Sequence, residues 1–132
     1  MPLSASSRIK YQLLRTALKW TGDPSPEGMT EVEIDRMYEM TEGDHAEELS
    51  EARSNFRYGG ENSEIAGKEY SRHYESEEKA AKLDDGTWVG WTYWHGGGKH
   101  GEPESIDWIS DAYLLSVTEE QKVVTVRTFV RA

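Results

Sequence analysis

The run Thr87-Trp88-Val89-Gly90-Trp91-Thr92-Tyr93-Trp94-His95, preceded directly by Asp84-Asp85-Gly86, constrains the fold more than any other part of the chain. Aromatic and β-branched residues packed this densely read as a strand, and Asp-Asp-Gly is a tight-turn signal. A strand that follows a tight turn must run back along whatever precedes it. The hairpin this predicts pairs Leu83, Ala81 and Lys79 with Thr87, Val89 and Trp91. The difficulty is the first arm. Glu75-Ser76-Glu77-Glu78-Lys79-Ala80-Ala81-Lys82 is made of strong helix formers and weak strand formers. The turn argument prevails here, giving a short helix near residues 63–67 and then a polar strand from about Tyr70 to Leu83.

Upstream the periodicity is helical. Ile9, Leu13, Ala17 and Trp20 recur at helical spacing between Ser4 and Trp20, with Tyr11, Leu14 and Leu18 widening the stripe. Ser6 or Ser7 is in place to cap this helix, and Gly22 with Pro24 to end it. Asp23-Pro24-Ser25-Pro26-Glu27-Gly28 reads as a linker. Thr30 and Glu33 form a capping box for a second helix with Ile34, Met37 and Tyr38 inward, broken at Gly43-Asp44. Asp44 with Glu47 resembles another capped start, for a third helix carrying Ala46, Leu49, Ala52 and Phe56 and stopped by Gly59-Gly60. Toward the C-terminus, residues 103–109 predict a helical turn begun by Pro103, and residues 112–118 a strand. Glu119-Glu120-Gln121 then predicts a turn, and Lys122 to Val130 has the clearest β pattern of all. Helices first and strands later imply a single α+β domain over residues 1–132. Its N-terminal helices (about 4–67) would pack on a C-terminal antiparallel sheet of three or four strands (about 70–131).

The formal charge of −10 is unevenly distributed. Residues 1–22 carry Arg8, Lys10, Arg15 and Lys19 and no acid. Residues 27–51 carry ten carboxylates against Arg36 alone, a local net of −9. Such a field repels phosphate backbones and membrane surfaces and attracts basic protein surfaces. It therefore predicts no direct nucleic-acid binding, no membrane association and a protein partner with a basic surface. Glu33, Asp35, Glu39, Glu47, Glu48 and Glu51 are the candidate contact residues. A solvated acidic helix pair, partly balanced by the basic first helix, is the plainer account of the same residues. The chain has no cysteine, which excludes disulfides and thiolate metal sites. No apolar run reaches the roughly 18 to 20 residues of a membrane span, and no secretory leader pattern is present, so a soluble cytoplasmic protein is expected.

The loop after the aromatic strand concentrates ionisable groups. Strand alternation places Val89, Trp91, Tyr93 and His95 on one face and Trp88, Gly90, Thr92 and Trp94 on the other. Trp91, Tyr93, His95, Lys99, His100, Glu102 and Glu104 form the candidate ligand-binding set, with core packing of the rings as the competing account. Gly96-Gly97-Gly98 allows a close backbone approach to an anion, yet the spacing matches neither a P-loop nor GxGxxG. His95 and His100 lack metal-site spacing, so no resident metal and no cofactor are expected. Without a nucleophile or oxyanion hole beside His100 and Glu102, no catalytic residue is assigned; hydrolysis of a phosphoester or glycoside is the first class to consider if activity exists. The strand Glu75–Lys82 is either a charge-protected edge or covered by a second subunit, which leaves a homo-oligomer open.

The block Gly86-Thr87-Trp88-Val89-Gly90-Trp91-Thr92-Tyr93-Trp94 with Gly96-Gly97-Gly98-Lys99-His100-Gly101-Glu102-Pro103-Glu104 resembles one found in small accessory proteins of phages, prophages and their bacterial hosts. The resemblance covers about the C-terminal half and carries no activity or site residues with it. It implies a non-catalytic accessory factor that acts by binding a host macromolecule. Joined to the charge pattern, it leads to the expectation of an acidic modulator. A small-ligand (nucleotide, sugar or anion) binding protein or small hydrolase using residues 95–104 is the alternative.

Overall fold

Three helices make up the first half of the chain in the computed structural model, which describes residues 3–24, 27–65, 74–96 and 103–132. Helix α1 (Ala5–Thr21) is capped by Ser4, whose hydroxyl accepts from the Ser7 N–H at 3.2 Å. The expected caps, Ser6 and Ser7, instead lie inside the first turn, and Ser7 is buried. Gly22 ends the helix at φ 82°, a left-handed conformation that glycine enters without a Cβ clash. Trp20, expected on the apolar stripe, is 47% exposed and lies outside the core.

Helix α2 (Glu31–Asp44) opens on the Thr30/Glu33 capping box, both halves of which are formed. Gly43 does not break it. The helix runs through Asp44, and His45 serves at once as its C-cap and as the N-cap of α3 (Ala46–Tyr58). Because Asp44 is still helical, its carboxylate makes no cap, and α3 starts with no side-chain cap at all. The His45 N–H donates to Thr41 O at 2.7 Å, and its carbonyl accepts from the Leu49 N–H at 3.0 Å. Its ring approaches Asp23 (3.5 Å).

The second half is an antiparallel sheet in the order β1-β2-β3-β4, so the chain is α+β with its helices N-terminal. Strands β2 (Glu75–Lys82) and β3 (Trp88–His95) pair along their whole length, with Lys79 opposite Trp91 and Ala81 opposite Val89. The turn closes as its sequence requires. Gly86 adopts φ 88°, Leu83 N–H donates to Thr87 O (2.8 Å), and Asp85 Oδ1 accepts the Thr87 N–H (2.8 Å).

Two expectations fail here, the helix at residues 63–65 and the strand at 122–130, and two others hold over shorter spans. Residues 63–65, expected in a short helix, are not helical; residues 66–67 of that helix fall outside the described residues, as do residues 70–73 of the expected strand. The two-residue strand β1 (Glu61–Asn62) lies against β2, and the Ser63 N–H and hydroxyl both donate to Glu78 O (2.9 and 3.0 Å). Those bonds prolong the ladder one residue past β1. Pro103 begins only a single 3₁₀ turn (Pro103–Ser105), and β4 is confined to Tyr113–Leu115. Most unexpected, Lys122–Val130 forms no strand and is exposed throughout.

One apolar cluster joins the layers. Ile9, Leu13, Leu14 and Ala17 of α1 meet Ile34 and Tyr38 of α2, Leu49 and Ala52 of α3, Leu83, Val89 and Trp91 of the hairpin, and Trp108 and Ile109. Trp91 is fully buried, 4.9 Å from Phe56 and 6.0 Å from Trp108 between ring centroids. Its indole N–H reaches Arg57 O at 3.4 Å.

Candidate functional site

The strand alternation that buries Trp91 carries Tyr93 and His95 along the same face, past the end of the apolar cluster. Trp91 is thereby removed from the ligand-binding set, because a fully buried ring has no face to offer a ligand. Tyr93 and His95 are half-buried, stacked on each other with centroids 5.5 Å apart. Two cations lie against Tyr93: Arg57 Cζ is 4.6 Å and Lys79 Nζ 4.3 Å from its ring centre. Such contacts are favourable when the cation is shielded from water, and Arg57 is buried. Arg57 also donates to the Trp94 carbonyl, and Lys79 to Tyr58 O (3.0 Å) and Gly59 O (3.3 Å). Both cations thus tie the end of α3 to the hairpin. His95 Nδ1 lies 3.7 Å from Glu75 Oε2.

Beside this cluster, and sharing Arg57 with it, is a cleft of about 560 Å³ lined by Lys10 of α1, Tyr38 of α2, the second half of α3 and residues 104–110. Its volume lies in the usual range for small-molecule sites. Lys10, Arg53, Arg57, Glu104 and Asp107 bring the charges to it, and Ser50, Ser54, Ser105 and Ser110 line it as well. Two cations lie near Tyr38, with Lys10 Nζ 5.5 Å and Arg53 Cζ 5.9 Å from its ring centre. Its hydroxyl accepts from Arg53 at 3.1 Å. Burial pushes the Tyr38 hydroxyl above its ordinary pKa, against the pull of Arg53. The Ser110 hydroxyl and N–H hold Asp107 below the usual carboxylate value. Three cations in one cleft of a strongly acidic chain were not anticipated from net charge. The signal was nonetheless present: Ser50, Arg53, Ser54 and Arg57 fall at i, i+3, i+4 and i+7, a polar stripe along one side of α3.

Of the predicted ligand set, the structure brings Glu104 to this cleft and Tyr93 and His95 to the adjoining cluster, with Arg57 between them. Lys99, His100 and Glu102 lie outside the described residues. Among the described residues, no group of three histidine, aspartate or glutamate side chains is placed to hold a metal ion.

The opposite face of the sheet carries a buried polar cluster that sequence reading missed. Glu78 is 6% exposed; its Oε1 accepts from Tyr113 Oη at 2.8 Å and Thr92 Oγ1 at 3.1 Å. Its other oxygen has no hydrogen-bond partner among the described residues. Tyr113 reaches this carboxylate because it crosses Gly90, where any Cβ would collide with its ring. Burial, with the Glu78 hydrogen bond and charge added, drives the Tyr113 hydroxyl far above its ordinary pKa.

The predicted partner-binding acids lie elsewhere. Glu33, Asp35 and Glu39 on α2 and Glu47 and Glu51 on α3 are exposed, and Glu48 is half-buried. Of the ten carboxylates between residues 27 and 51, cations among the described residues reach Asp35 (Lys10, 3.1 Å) and Glu42 (Arg53, 3.2 Å). Val32 and Met40 stand among them, 66% and 61% exposed. Glu31, Glu33, Glu47 and Glu48 occupy first helical turns, where the helix dipole favours negative charge. That accounts for four acids; Glu39 and Glu51 have no such role. Among the described residues, no helix is long and apolar enough to cross a membrane. No protein-family model matches the chain, and comparison with curated proteins and with solved structures gave no significant match.

Proposed function

We propose that the protein is a non-catalytic acidic binding protein, a phage- or mobile-element-type accessory factor that modulates a host macromolecule by masking a basic, nucleic-acid-binding surface. The observation that carries this reading is the exposed carboxylate surface of α2 and α3, where most of the acids meet no cation among the described residues. Exposed carboxylates steer a basic partner and select it, while apolar side chains among them supply affinity at contact. Val32 and Met40 are placed to do so.

The test is capture of partners from host lysate, followed by association kinetics across ionic strength. Replacing Glu39, Glu47, Glu48 and Glu51 by Gln is expected to slow association about tenfold and flatten its salt dependence. Adding Glu33→Gln leaves the capping box intact, since glutamine serves there as well as glutamate. Unchanged kinetics in the Gln variant would remove the proposal.

The basic cleft favours a second reading, a small anionic ligand held by Lys10, Arg53 and the surrounding serines. Inorganic phosphate and nucleotides are then expected to raise the melting temperature of the wild type but not of a Lys10→Ala, Arg53→Gln variant. A shift that persists in the variant rejects the cleft as the site.

A further inference from the structure

Residues 122–130 have the β-branched composition of a strand yet pair with no strand among the described residues. Val123, Val124, Val126, Phe129 and Val130 are each at least 74% exposed. No backbone hydrogen bond among the described residues ties residues 116–132 to the sheet. Among the described residues the sheet ends at β4, with no strand on its outer edge, and Leu114 on that strand is half exposed. A row of unpaired edge groups is a template for one more strand.

Pattern and charge identify the strand that fits. The stretch 122–132 carries Lys122, Arg127 and Arg131 and no acid, in a chain whose net charge is −10. In sequence β4 is followed closely by Glu119 and Glu120, both exposed. Residues 112–130 also read as a hairpin, strand–turn–strand, so the complement written for Lys122–Val130 is β4 of this same sequence. Within one chain that hairpin is left open. We propose that Lys122–Val130 adds as a fifth strand to the β4 edge of a second copy of this chain, and that the second copy returns the same segment to the first. The exchange is isologous and closes on itself, giving a two-fold dimer rather than a fibre. Backbone pairing supplies the register, and the valines and Phe129 leave water against the partner's sheet end.

The 132-residue chain, followed by light scattering on a sizing column over a wide concentration range, is expected at twice the chain mass. Hydrogen exchange in that species is expected to be slow over residues 122–130. Val126→Pro removes a ladder N–H and is expected to weaken the dimer at least about 100-fold. The same variant leaves the far-ultraviolet spectrum and unfolding of the helical body unchanged. Glu119→Lys with Glu120→Lys weakens the dimer by charge without touching the segment. A monomer at all concentrations overturns the proposal, whether residues 122–130 exchange fast or are protected by closing onto their own β4. A dimer that survives both variants overturns it equally.

Discussion

Two stretches of this chain invert the usual relation between composition and strand formation. Glu75–Lys82 is polar and helix-prone, yet forms an eight-residue strand paired along its full length; Lys122–Val130 is β-branched and alternating, yet stays unpaired. The difference lies in the neighbour each has. Glu75–Lys82 is joined by a three-residue turn to a strand whose Val89 and Trp91 must be buried under the helices, so it is recruited by β3. Lys122–Val130 has as neighbour a three-residue strand at the sheet edge. Strand preference reflects fit to a pleated, half-buried surface, and where no such surface is offered it goes unused.

The largest effect is expected where this recruitment originates. Trp91→Ala removes the indole that holds β3 beneath α3 and is expected to cost about 3–5 kcal/mol in chemical denaturation, losing the β2 strand with it. A smaller loss would mean that the hairpin holds by its turn alone. Gly90→Val comes next, at about 1–3 kcal/mol, because the new side chain displaces the Tyr113 ring and unseats β4. The Tyr113 reporter would be a changed near-ultraviolet spectrum.

A third measurement follows stability with pH. Burial and then the Glu78 hydrogen bond raise the Tyr113 pKa, so the folded state holds this proton more tightly than the unfolded chain does. The resulting stability is complete below the ordinary tyrosine value of 10.0 and is lost as pH rises from there toward the folded-state value. Tyr113→Phe is expected to flatten that alkaline decline; an unaltered slope would show that the ring does not titrate against Glu78. The smallest effect belongs to the other side of the comparison. Val124→Lys with Val126→Lys, measured at a dilution where the chain is monomeric, is expected to shift unfolding by no more than about 0.5 kcal/mol. A larger loss would place the segment inside the monomer's own fold.

The hairpin register was legible in the sequence because Asp84-Asp85-Gly86 leaves so little slack between its arms. The Thr30/Glu33 cap was equally legible, being complete within four residues. What escaped notice depends on distant groups. Glu78 is buried only because Gly90 lacks a Cβ and Tyr113, far along the chain, lies across the gap. Arg57 is buried because Tyr93 and Trp94 come back over the end of α3. The candidate ligand residues divided for a similar reason: alternation put Trp91 and Tyr93 on one face, and the extent of the helices decided which ring was covered.

His45 closes one helix and opens the next, with no residue to spare between them. A joint of one residue, its N–H and carbonyl both engaged, permits little independent swing. Any protein that meets the outward carboxylates of these two helices therefore encounters a single preset plate, and ordering that plate adds almost nothing to the entropy lost on association.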